Sequence, residues 1–139
     1  MDSRKINEEY TMIAEALVKV EPSLQDIKES NVRILFLSST HKKVSGGGRV
    51  LGQCEKIPEK YKWAVPCDFT ITIFEPNVRD YQLTEDQIRA LIHHELLHVG
   101  IDREETLIGA NEKYYIRHHD LDDFQLIIRQ YGVDWSHSN

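Results

Sequence analysis

The chain of 139 residues has little cysteine, no long apolar run and no excess of basic charge. Its two cysteines, Cys54 and Cys67, are thirteen positions apart, which excludes a Cys-x-x-Cys redox motif or zinc knuckle. No stretch approaches the ~18–20 consecutive apolar residues that a membrane helix needs. The first residues, MDSRKINEEY, hold no apolar core of the signal-peptide type. The expectation is a cytosolic protein with both thiols reduced. Formal net charge is -6, which argues against broad nucleic-acid binding, since that usually requires a basic face.

What is present is an ordinary globular composition, 40% hydrophobic and 29% charged, in a length that suits one compact domain. The expected boundaries are 1–139, with short flexible ends at about 1–4 and 133–139. Histidine is the unusual component. There are seven, and five lie between positions 93 and 119. Neutral imidazole is the commonest metal ligand, so this clustering points toward a metal.

Ile6, Tyr10, Ile13, Ala14, Leu17 and Val20 recur at helical spacing and predict an amphipathic helix over about 4–20. Pro22 closes it or opens a short second helix at 22–29. VRILFLS at 32–38 reads as a buried strand, and RVLGQCEKI at 49–57 as a second. DFTITIFE at 68–75 alternates Phe69, Ile71 and Ile73 with Asp68, Thr70 and Thr72. That pattern predicts a half-exposed strand at a sheet edge, ended by Pro76-Asn77.

Thr84 and Gln87 form a capping box for the next helix, with Glu85 and Asp86 in its first turn. Gly100 is the expected stop. Residues 101–118 read as a connection with at most short structure. A last helix is expected over 121–131, ended by Gly132. The fold class is α+β.

The chemistry is concentrated in His94-Glu95-Leu96-Leu97-His98. Two histidines four apart share one helical face and can hold one zinc ion, each nitrogen at about 2.0–2.1 Å. Glu95 need not ligate and is placed to take a proton from a water at the metal. The competing reading is a helix with two surface histidines. The capping box and the histidine-rich context favour the metal site.

A catalytic zinc needs a third protein ligand and one open position. In metzincins a third histidine follows the second by six residues, but here position 104 is Glu and position 101 is Ile. The third ligand must therefore come from farther along the chain. His119 is preferred, because Asp120 is the natural cap of the last predicted helix and would fix its neighbour. His118 comes next, then the carboxylates Glu112, Glu104, Glu105 and Asp120.

LIHHELLHVGI, followed about twenty residues later by HDLDDFQLIIRQYG, resembles the phage metallopeptidases, a group of small SprT-like zincins. In that family a helix with HELxHxG precedes a His-Asp pair opening an acidic-aromatic helix. The matching positions are His94, Glu95, His98 and Gly100, then His119, Asp120, Asp123 and Phe124. DFTITIFEPN resembles the family's edge strand. The resemblance covers about 30–132. It implies a zincin-like fold with the edge strand packed against the active-site helix, one zinc, and peptidase activity, in the host cytoplasm if phage-encoded.

Other residues have plainer readings. His93 faces another side of the helix and reads as a support for the site or as a surface residue. The basic, glycine-rich stretch Lys42, Lys43, Gly46, Gly47, Gly48, Arg49 is the one candidate for nucleic-acid or phosphate contact. It lacks the Lys-Ser/Thr ending of a P-loop and reads foremost as a flexible turn. Tyr114 or Tyr115 is a candidate for stabilising an oxyanion, and packing is the equal alternative. A peptide substrate is expected to lie antiparallel to the strand at 69–74. Two rival functions stand beside the peptidase: a non-catalytic zinc module binding protein or nucleic acid, and a zinc hydrolase acting on a non-peptide amide.

Overall fold

The computed structural model describes residues 3–107 and 109–118. In chain order the elements are β1 (Arg4–Ile6), α1 (Glu8–Val20), a 3₁₀ turn (Pro22–Leu24), α2 (Gln25–Glu29), β2 (Ile34–Ser39), β3 (Val44–Ser45), β4 (Gly48–Arg49) and β5 (Gly52–Lys56). Then come a 3₁₀ turn (Glu59–Tyr61), β6 (Phe69–Phe74), α3 (Glu75–Asp80), α4 (Glu85–Leu96), β7 (Val99–Thr106) and β8 (Gly109–Ile116). The fold is α+β. The predicted last helix at 121–131 lies outside the described residues.

A four-stranded mixed sheet in the order β1-β2-β6-β5 carries the core. β2 and β6 are parallel, while β1 and β5 run antiparallel to their neighbours. α1 begins two residues after β1 because Asn7 caps it. The Asn7 side chain accepts from the Tyr10 N–H at 3.0 Å and donates to Ser38 Oγ at 2.7 Å, which ties the helix start to β2. The predicted helix start at residue 4 is thus a short strand. From Asn7 onward, Tyr10, Ala14 and Leu17 bury one stripe of α1. They meet Phe36, Ile71 and Ile73 from the sheet and Leu91, Ile92 and Leu96 from α4. Each large aliphatic or aromatic side chain fully buried here contributes about 1.5–3 kcal/mol.

β6 is not an edge strand. It lies between β2 and β5, and Phe69, Ile71, Thr72, Ile73 and Phe74 are all inaccessible to solvent. The threonines mislead because the second face of the sheet is also covered. Arg4 donates to Thr72 Oγ1 at 3.2 Å, and Arg4 and Lys43 both lie over the Phe74 ring. The terminal strand beside β6 is β5, and Pro76 sits in the first turn of α3.

The basic stretch at 41–49 is an anchored hairpin, not a loose turn. β3 pairs with β4 across Gly46 and Gly47, whose positive φ values of 57° and 80° suit glycine. Buried Asn77 donates to the carbonyls of Lys43 and Val50 at 3.0 and 2.7 Å, clasping the hairpin base. Lys42 and Arg49 both pair with Asp80, and Lys43 bonds Gln53.

Residues 101–118, expected to be a connection, hold most of the β7–β8 hairpin, which runs from Val99 to Ile116. Gly100 is not a helix stop. α4 ends at Leu96 with Leu97 as its cap, and Gly100 sits inside β7 opposite Tyr115. A Cβ at Gly100 would lie 2.4 Å from the Tyr115 ring, so glycine there lets the ring fold across the hairpin. Among the described residues no helix is long and apolar enough to cross a membrane.

Candidate metal centre

The capping box holds as predicted. The Thr84 N–H donates to Gln87 Oε1 at 2.8 Å, and the Gln87 N–H donates to Thr84 Oγ1 at 3.2 Å. It sets the start of α4, and Ala90, Leu91, Ile92 and Leu96 then bury the helix against the core. That rotation leaves His94 half-buried, at the surface of a cleft.

His98 lies one residue beyond the helix cap, in a turn closed by its own N–H to the Glu95 carbonyl at 3.1 Å. The ring centroids of His94 and His98 are 5.1 Å apart, with planes at 84°. The hairpin then returns to hold His98 at two points. The Arg117 N–H donates to the His98 carbonyl at 2.7 Å, and His98 Nδ1 meets the Arg117 carbonyl at 2.7 Å. A carbonyl only accepts, so Nδ1 carries a proton, and Nε2 is the nitrogen left to face a metal. A backbone carbonyl orienting the far nitrogen is the usual support of a metal-ligating histidine.

Glu95 is only 5% exposed. Its carboxylate lies against β5, and burial pushes its pKa from an ordinary 4.5 up to about 8. Cys54 of β5 is close by, and burial with the Glu95 charge raises its thiol. Neither Cys54 nor Cys67 is in a disulfide.

A cavity of about 310 Å³ unites these groups. β5 supplies Gly52 and Cys54, α4 supplies His94 and Glu95, the turn supplies His98, and His118 enters from the end of β8. Gly52, Cys54 and Ile116 were invisible to motif reasoning, because they reach the site from β5 and β8 through tertiary packing. A larger groove of about 590 Å³ between α1 and α4, lined by Met12, Ile13, Val20 and Ile88, has no histidine or cysteine among its described residues. Size does not mark the chemistry here, and the smaller cavity is the candidate site.

Several sequence expectations fall elsewhere. His93 is wholly buried and does not line the cavity. Its Nε2 is 2.9 Å from Ser23 Oγ, so it ties α4 to the turn after α1, and burial lowers its pKa. Glu112 Oε1 accepts from the Asn31 N–H and the Tyr114 hydroxyl, at 3.1 and 2.8 Å. Glu104 faces Asn111 near the far end of the hairpin. Tyr114 packs edge-on to Phe69 and Tyr115 covers Gly100, so neither tyrosine lines the cavity. His119, Asp120 and the Glu105 side chain lie outside the described residues. Among the described residues no three His, Cys, Asp or Glu side chains form a metal-holding group.

The donor chemistry that is present suits a metal ion. Two imidazoles face one cavity, one of them with its tautomer fixed, and a carboxylate beside them is held out of bulk water.

The Glu95 environment has a consequence for metal-stripped protein. Folded Glu95 keeps a proton at pH values where the unfolded chain has released it. This contribution to stability is fully present below about pH 4.5 and is lost as pH rises toward 8. Stability in EDTA, followed by melting, should therefore fall across that window by a free energy on the order of a few kcal/mol. Glu95→Gln should flatten the profile. An unchanged slope in that variant would assign the effect to another group.

The family model described as "Putative phage metallopeptidase" matches residues 3–138. Comparison with the curated proteins and with the solved structures gave no match. The family implies a metal cofactor and action on peptides. With nearly the whole chain matched, and with two histidines and a buried glutamate gathered at one cavity, this chain belongs to the phage metallopeptidase family.

Proposed function

We propose that this protein is a zinc-dependent peptidase in which His94, His98 and His119 hold the metal and Glu95 is the general base. The observation that carries the reading is the convergence of His94, Glu95 and His98 on one cavity, with the His98 ring oriented through Nδ1 by the Arg117 carbonyl. Zinc, when bound, would polarise a substrate carbonyl and make water acidic enough to supply hydroxide near neutral pH.

The chain's own residues account for the remaining work. Glu95 accepts the proton of the attacking water on a carboxylate oxygen and returns it to the leaving nitrogen. A carboxylate with a raised pKa suits both halves of that cycle, and a cation placed nearby would draw its pKa back down. β5, the terminal strand of the sheet, is the strand against which an extended peptide would align antiparallel through main-chain hydrogen bonds. It replaces the strand at 69–74, which has neighbours on both sides. An antiparallel terminal strand above the histidine-bearing helix is also the arrangement expected of a zincin-like domain. If the protein is phage-encoded, its place of action is the host cytoplasm. The non-catalytic zinc module gives a buried Glu95 no task.

The third ligand provides a test. His119→Ala should lose most bound zinc, and with it hydrolysis of fluorescein-labelled casein, whereas His118→Ala should keep both. The reverse order would make His118, which lines the cavity, the ligand. Small and equal effects would move the third ligand to a carboxylate.

A further inference from the structure

Gly52 is the first residue of β5, and glycine in a strand has an entropic cost and no side chain to pack. Its backbone does not require it. Among the described residues the glycines with positive φ are Gly46, Gly47 and Gly109, and Gly52 pairs in the sheet as an ordinary strand residue. Its surroundings leave little room for a side chain. A Cβ built on Gly52 would lie 3.2 Å from Glu95 Oε2, 3.3 Å from Glu95 Cγ and 3.2 Å from Ile73 Cδ1.

We propose that Gly52 is a positioning residue for the general base: it has no side chain because the Glu95 carboxylate is seated directly against the main chain of β5. This rests on the reading of Glu95 as the base. Little else in the neighbourhood is able to yield. Gly52 is paired with Ile73 in the sheet, and Ile73 is fully buried. Ile92 and Leu96, on either side of Glu95 in α4, are buried in the same core. The carboxylate head is the mobile part, so a methyl group on residue 52 displaces the base by a few tenths of an ångström. Its aim at the cavity shifts while the imidazoles of His94 and His98 keep their places. The lesion should therefore fall on turnover and spare metal binding and substrate affinity.

Gly52→Ala should retain zinc and keep KM for labelled casein within about twofold, while kcat falls roughly tenfold or more, as small misplacements of a reacting group do. Glu95→Asp supplies the second arm, since its shorter side chain withdraws from the added methyl. In EDTA-treated protein, Gly52→Ala should lower the melting temperature. Adding Glu95→Asp to that variant should raise it again, whereas the same change in wild type should not. Ile73→Val is the control for the other contact. Full kcat in Gly52→Ala would overturn the proposal, as would rescue of melting by Ile73→Val in place of Glu95→Asp. If Gly52→Ala does not fold, the double variant with Glu95→Asp must fold, and its failure would also overturn the proposal. The metal-free melting cycle reads the Gly52–Glu95 contact even if Glu95→Gln turns over normally, so a wrong base assignment and a wrong contact give different results.

Discussion

Replacing Glu95 with Gln is expected to leave the fold and the zinc content near those of wild type and to slow hydrolysis of labelled casein at least a hundredfold. Loss of a general base typically costs ~10²–10⁴ in rate, and in the proposed scheme Glu95 would also orient the attacking water. The substitution preserves shape and hydrogen-bonding capacity but cannot accept the proton. It also removes a carboxylate that is 5% exposed and whose pKa burial has pushed up to about 8, so metal-free Glu95→Gln should fold at least as well as wild type at neutral pH. A loss of activity accompanied by unfolding would mean that Glu95 is structural. Wild-type turnover with zinc still bound would end its assignment as the base and favour a structural zinc.

The metal itself carries the second large effect. Purified protein should hold about one zinc per chain under the three-ligand, one-open-position scheme. His94→Ala and His98→Ala should each weaken zinc binding by more than about a hundredfold, because losing merely an outer hydrogen-bond partner of a ligand costs 10–100-fold. The two histidines are supported differently. His94 is placed by a buried, capped helix. His98 is placed by the two hydrogen bonds to Arg117, at 2.7 Å each. Distorting the β7–β8 hairpin should therefore loosen the His98 side of the site more than the His94 side. Undiminished zinc in both alanine variants would defeat the assignment.

Local chemistry made part of this site legible in the sequence. Thr84 and Gln87 announce the helix start, and the His94–His98 spacing announces a pair of imidazoles near one another. What could not be read was anything that depends on which strand lies beside which. Thr70 and Thr72 suggest a wet face for β6, yet Arg4 and Lys43 close over that face from distant parts of the chain. The alternation therefore points to β6 as the edge, whereas β5 is the terminal strand beside it. For the same reason nothing local marks Gly52 and Cys54 of β5 as neighbours of the site. The β7–β8 hairpin did leave a signal. Asp102 faces Lys113 and Arg103 faces Glu112 across the register, so opposite charges sit symmetrically about residues 107 and 108. Its many charged residues hid that symmetry behind the look of a polar connection. Gly100 shows how a motif position can carry a different task from the one its sequence context suggests. It makes room for Tyr115 and does not end the helix.

Anomalous diffraction at the zinc edge, from crystals grown with one equivalent of zinc, tests the central claim most directly. The account predicts a single strong peak about 2.0–2.1 Å from a nitrogen of both His94 and His98, that nitrogen being Nε2 in His98, with the Glu95 carboxylate outside bonding distance. A peak ligated by Glu95, or one placed away from the His94–His98 pair, would contradict it.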